Sequence, residues 1–199
     1  MKDATQPITT RDAILLATDR LLARYGYKKM TIDDLANEVG IGKGSVYLHF
    51  SSKEEIALSH IDGIIEKLQS NLRAIAAKPL AVDIRLREML LERVLYRFDS
   101  VQHYSQSLNE LLAVLRPKLL ERRKRYFREE ARIFSEIIAE GQRSKLFAKS
   151  DPDDTAITFL SATNALLPYS LSAIELGDRV EVTDRTRKTT DVLIRGIRI

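Results

Sequence analysis

Between Thr31 and Lys53 the chain reads TIDDLANEVGIGKGSVYLHFSSK, and no other stretch constrains the possible folds as tightly. The hydroxyl of Thr31 can accept a bond from a free first-turn amide, which starts a short helix. Ile32, Leu35, Ala36 and Val39 then recur at helical spacing and give that helix one apolar face. Gly40 ends it, as glycine does where the chain turns through positive φ. A second helix of about two turns is expected from Gly42 to Phe50, with Val46 and Phe50 on its inner side. Two short helices joined by a glycine turn form a helix-turn-helix, whose second helix enters the major groove of DNA.

The residues Thr31-Ile32, Asp34-Leu35-Ala36, Val39-Gly40-Ile41, Gly44, Val46-Tyr47, His49-Phe50 and Ser52-Lys53-Glu54 resemble the TetR family of bacterial transcriptional regulators. The resemblance runs from Ala13 to Ile56. It implies an all-α protein with an N-terminal three-helix DNA-binding domain and a larger C-terminal helical domain. That second domain would hold a small-molecule effector and dimerise through its last two helices. The expected division is 1–52 for DNA binding, 53–76 as a connecting helix and 77–199 for effector binding and dimerisation.

Within the motif, Gly42, Lys43, Gly44 and Ser45 open the second helix, and the N-terminal residues of a recognition helix touch base edges. Lys43 can donate to guanine or phosphate, Ser45 to either kind of partner, and Gly44 lets the backbone approach the groove. The resemblance implies phosphate contacts for Tyr47 and His49. Lys53 falls in the first turn of the next helix, where the helix dipole disfavours a cation; a phosphate held there would account for it. Thr31 could both cap its helix and bond a phosphate.

Charge supports placed contacts rather than a basic domain. Residues 1–60 hold eight Lys/Arg and eight Asp/Glu, while residues 116–128 hold seven Lys/Arg and one Glu. With no cysteine there is neither a disulfide framework nor a thiolate metal site, in keeping with a cytoplasmic protein. MKDATQPITTRD lacks the apolar run of a signal peptide. Residues 155–174 carry no charge, but their Thr, Ser and Asn content reads as a buried helix rather than a membrane span. The three histidines show no metal-ligand spacing, and no nucleophile motif, phosphate loop or cofactor signature occurs, so no enzyme, metal or cofactor is expected.

About nine helices are expected. The first runs from a Thr9/Asp12 capping box to Gly26, and the fourth from a Ser52/Glu55 box to Ala76, about 36 Å at ~1.5 Å per residue. The fifth covers about 83–101, and a short sixth about 105–114. Pro117 then opens a seventh reaching Gly141. Asp151-Pro152-Asp153-Asp154 starts an eighth that ends near Gly177, and a ninth begins near Asp184.

The effector-pocket candidates are Phe98, Arg123, Phe127, Phe134, Asn164 and Pro168; Leu171, Leu193 and Ile197 are candidates for the dimer interface. Pro168 removes the amide that would bond the carbonyl of Asn164. Leu120, Phe127, Ala131, Phe134 and Ile138 form a stripe about 60° wide on a helical wheel, with Arg123 about 20° from its edge. Arg123 then either snorkels to water, pairs with Glu130, or meets an acidic effector. The expected function is a homodimeric repressor on a palindromic double-stranded operator, released by a small-molecule effector. The rival reading keeps the DNA-bound dimer but makes it a protein-interaction platform without an effector. A membrane-surface role is opposed by the absence of Trp and of a free apolar face.

Overall fold

The structure is a computed structural model that describes residues 8–102, 105–168 (side chains from Glu110) and 176–199. Its helices are α1 (Thr10–Lys29), α2 (Ile32–Val39), α3 (Lys43–His49), α4 (Lys53–Ala76), α5 (Val82–Ser100), α6 (Ser105–Arg143), α7 (Pro152–Asn164) and α8 (Arg179–Ile197). They make two compact units. The smaller comprises the chain up to Gly63 with the start of α6 as far as Arg116; the larger comprises Ile64–Gln102 and Pro117–Ile199. Both α4 and α6 therefore pass from one unit into the other, so α4 is not the sole continuous link. Among the described residues no helix is long and apolar enough to cross a membrane.

Local signals explain most helix starts. Thr9, Thr31 and Asp178 each close a capping box with the acid three residues on, and Asp151 caps α7 ahead of Pro152. Four expectations need correction. Gly26 (φ 73°) kinks α1, which then continues for one more turn to Lys29. The expected sixth and seventh helices are one, because Pro117 forfeits a single backbone bond and its fixed φ is itself helical, while the Leu-, Arg- and Lys-rich flanks favour helix. α8 begins at Arg179 rather than near Asp184, because Asp178 and Glu181 form the capping box. α7 stops at Asn164, where Leu167 N donates to the Asn164 carbonyl at 3.1 Å, so that carbonyl is not left open by Pro168.

In the smaller unit, Ile14, Leu21, Leu22, Met30, Leu35, Val46, Phe50 and Ile56 form the core. Among the described residues the larger unit has two apolar clusters. One gathers Leu68, Leu72, Leu86, Met89, Leu90, Phe134, Ile138, Phe147, Leu160 and Ile194. The other gathers Val94, Phe98, Leu167, Leu176 and Val182. Charged and polar residues fall between the stretches that feed the two: Arg93 between Leu90 and Val94 on α5, and Thr163 and Asn164 between Leu160 and Leu167. Arg93 donates to Glu130 Oε2 on α6 (2.8 Å), Thr163 Oγ1 (2.7 Å) and Asn164 Oδ1 (2.7 Å). Arg97 donates to Glu130 Oε1 and to the Arg93 carbonyl. Burial works to raise the Glu130 carboxyl, but Arg97 and Arg93 outweigh it and hold the group below the usual carboxylate range.

Helix ends are also closed by cations. Buried Arg85 donates to the Ala76 and Leu80 carbonyls, at 2.5 and 3.0 Å, and to Glu140 of α6. The C-terminal residues pair with the loop after α6: Ala148 N donates to Ile197 O at 2.7 Å and Ile199 N to Leu146 O at 3.2 Å. This pairing holds Phe147, 1% exposed, against Gly141. A Cβ on Gly141 would stand 2.1 Å from the Phe147 ring, so the close approach requires glycine. Gly141→Ala should therefore cost about 1–3 kcal/mol through overpacking and lower the melting temperature by several degrees. Thermal unfolding checks this, and an unchanged midpoint would contradict it.

Candidate functional site

The turn that presents α3 is built by two locally determined residues. Thr31 Oγ1 accepts from Asp34 N (3.1 Å) and donates to Asp34 Oδ2 (2.7 Å), and Thr31 N donates to the same oxygen at 2.8 Å. These bonds hold the Asp34 carboxyl below its ordinary range. Gly40 caps the other end of α2 at φ 77°, a left-handed conformation in which an L side chain is strained. Gly42 then stands at the N-cap of α3 in an extended conformation.

Val46 is the buried anchor of α3, with Phe50 just beyond its end. At about 100° per residue, Gly44 and Leu48 both fall about 160° from Val46 and so face directly outward. Leu48 is 85% exposed. A Cβ at Gly42 or Gly44 would meet nothing within 4 Å, so packing within the chain demands glycine at neither position. Lys43, Tyr47 and His49 are exposed and Ser45 half-buried, which places all the α3 candidates along one short helix. The exposure of Leu48 is not foreseen from the sequence, because an apolar side chain reads as core. Its angle from Val46 was the available signal.

Three candidates have their donors engaged within the chain. The hydroxyl proton of Thr31 goes to Asp34. Lys43 Nζ lies 2.7 Å from Asp33 Oδ2, and this bond raises the Lys43 pKa. The pair is exposed on both sides, so a phosphate or guanine can compete for the ammonium. Lys53 differs. Its Nζ donates to the carbonyls of Tyr27 (2.8 Å), Met30 (3.0 Å) and Lys28 (3.3 Å) and lies 4.5 Å from the Tyr27 ring centre. An ammonium has three protons, and here each has an acceptor. Burial lowers its pKa. Lys53 thus closes the end of α1, which accounts for a cation in the first turn of α4 without a phosphate.

The effector-pocket candidates do not form one group. Asn164 joins Arg93, and Phe98 lies in the smaller apolar cluster. Phe134 is in the other cluster with half-buried Phe127 against it, and Pro168 is buried. Arg123 is exposed, contrary to the inward reading; the partners of Glu130 are Arg93 and Arg97, whose positions on α5 face it directly. Of the dimer candidates, Leu171 lies outside the described residues. Leu193 and Ile197 pack against the larger cluster instead of standing uncovered, because α8 runs along α5. The exposed apolar residues of α8 are Val180 and Val192, at 69% and 64%.

Residues 14–59 match the family model described as bacterial regulatory proteins, tetR family. An uncharacterized HTH-type transcriptional regulator in the lacX 3' region of Lactococcus lactis subsp. lactis is 35% identical over 82 residues, 41% of this chain and 42% of that protein. The chain thus matches less than half the length of that relative. The HTH-type transcriptional repressor KstR2 of Mycolicibacterium smegmatis is 27% identical over 163 residues, 80% of this chain and 78% of that one. A crystal structure of a transcriptional regulator from Cytophaga hutchinsonii superposes with a TM-score of 0.76 at 20% identity, covering 94% of this chain and 97% of the other.

Replacing Lys53 by Met should lower the melting temperature by about 3–10 °C, as loss of a charged donor costs about 1.5–3 kcal/mol. The dependence of DNA affinity on salt should stay that of the parent, whereas a lost phosphate contact would reduce the log–log slope by about 0.9. Calorimetry and DNA titrations at several salt concentrations separate the two; a reduced slope at unchanged stability would restore the phosphate role.

Proposed function

This chain belongs to the tetR family of bacterial regulatory proteins, and from that premise we propose that it is a transcriptional repressor. In this reading it grips a palindromic operator as a homodimer and lets go when a small molecule occupies the larger unit. The observation that carries the DNA-binding part is the outward face of α3, where Gly44 and Leu48 stand opposite buried Val46 with Lys43 and Tyr47 beside them. Glycine, needed for no internal packing at that point, admits the helix deep into a groove. Leu48 suits the C5-methyl of thymine, Lys43 and Ser45 suit base edges or phosphate, and Tyr47, His49 and Thr31 suit phosphate. A two-fold operator requires two-fold protein, and the exposed valines of α8 are apolar surface available for a partner copy. An effector in the larger unit would act on the smaller through α4 and α6, which run continuously between them.

Selection of bound sequences from a random duplex pool, followed by fluorescence anisotropy on the recovered site, tests the DNA reading. Lys43→Ala, Tyr47→Ala and Leu48→Ala should each weaken binding about 5- to 100-fold with little change in melting temperature. Leu48→Ala should also relax the preference at a thymine. Parent-like binding by all three variants would refute the interface. For the dimer, Val192→Asp should raise the dissociation constant at least tenfold in sedimentation while the fold persists; a parent chain that sediments as a folded monomer at micromolar concentration would refute that part.

A further inference from the structure

Among the described residues, the core of the larger unit contains a charge imbalance. Arg93, Arg97 and Glu130 are 1%, 4% and 0% exposed, so two guanidinium groups are buried with one carboxylate between them. Among the described residues the charges acting on Arg93 are Glu130, Arg97 and Arg123, one anion against two further cations. Burial brings the Arg93 pKa down to about 10, even though Glu130 works to raise it. Arg93 has three of its N–H groups placed, on Glu130, Thr163 and Asn164. Arg97 places only two, on Glu130 and the Arg93 carbonyl, out of the five a guanidinium carries. The rest of its fork has no acceptor among the described residues. A structural ion triad would be expected to balance its charge and satisfy its donors, since buried excess charge is costly.

Apolar surface adjoins this fork. Val94 and Phe98 flank Arg97 on α5 and cluster with Leu167, Leu176 and Val182. We infer that Arg97, backed by Arg93 and Glu130, is an anion site that takes the carboxylate of an amphipathic organic acid, whose apolar part lies against Val94, Phe98 and Leu167. Arg123 is exposed to solvent, so within the buried triad two guanidinium groups against one carboxylate leave one excess positive charge. That charge matches a monoanion, and a guanidinium fork matches the two oxygens of a carboxylate. A phosphate monoester would bring about two charges and overcompensate. The inference rests on reading the larger unit as effector-binding and deepens it by naming the ligand class. A carboxylate at Arg97 competes with Glu130 for the same guanidinium, and Glu130 is on α6, which runs on past Pro117 into the smaller unit.

The test uses the full chain and a series of straight-chain carboxylates from acetate to dodecanoate, each beside the alcohol of equal length. Thermal unfolding reads binding, and fluorescence anisotropy on the selected DNA reads release. At least one carboxylate should raise the parent melting temperature by about 5–10 °C at a hundredfold excess over its dissociation constant, with the matched alcohol well below that. Arg97→Met should weaken that carboxylate at least tenfold, and Arg97→Lys, which keeps the charge, should retain part of the effect. If Arg97→Met does not fold, Arg97→Lys together with the carboxylate–alcohol comparison still decides. Alcohols equal to carboxylates at every length, or a carboxylate shift undiminished in the folded Arg97 variants, would overturn the anion site and leave open a neutral effector. Carboxylate binding that leaves DNA affinity unchanged would uphold the site and overturn the effector-release reading.

Discussion

One buried guanidinium organises the larger unit. Arg93 of α5 reaches α6 through Glu130 and the end of α7 through Thr163 and Asn164, so three helices are registered on one side chain. A fork with fixed donor directions imposes angles as well as distances, which apolar packing alone does not. The layer it forms lies between two apolar clusters. Removing one partner would strand the remaining charges in a poorly solvated site, so the layer behaves as a unit.

Cations serve a second purpose across the chain, that of ending helices. Lys53 takes the last carbonyls of α1 and Arg85 takes the last carbonyl of α4. Lys53 opens α4 and reaches back past α2 and α3 to α1, whereas Arg85, the fourth residue of α5, reaches back to the helix immediately before its own. Such positions are unfavourable by the helix dipole alone, but direct charged hydrogen bonds to otherwise open carbonyls outweigh that local term. In the smaller unit the consequence is an α3 whose inner side is fixed by Val46 while its outward face carries no structural duty. That division of labour leaves Gly44 and Leu48 on a face that internal packing does not use.

Much of this was legible without coordinates wherever the information was local. The caps at Thr9, Thr31 and Asp151 and the left-handed turn at Gly40 depend on residues within four positions of each other, so the sequence states them directly. Pro117 was misread because a proline at N1 and a proline tolerated inside a long helix share the same φ, and the flanks decide between them. The exposure of Leu48 and the internal bonds of Lys53 were not legible for a related reason. Exposure of a leucine, or three carbonyls waiting for an ammonium, depends on what the neighbouring helices leave open.

The sequence alone thus determined the all-helical class and the capped helix-turn-helix, since short-range capping, glycine geometry and helical periodicity suffice for these, and its motif residues carry the resemblance to the tetR family. Only the tertiary structure decided that Arg93 and Arg97, not Arg123, meet Glu130, because these residues are separated by more than thirty positions and their meeting depends on how α5, α6 and α7 pack. A helical wheel places a side chain on a face of its own helix. Whether that face looks onto a partner charge, an apolar cluster or water is set by the other helices, and no local rule reaches that far.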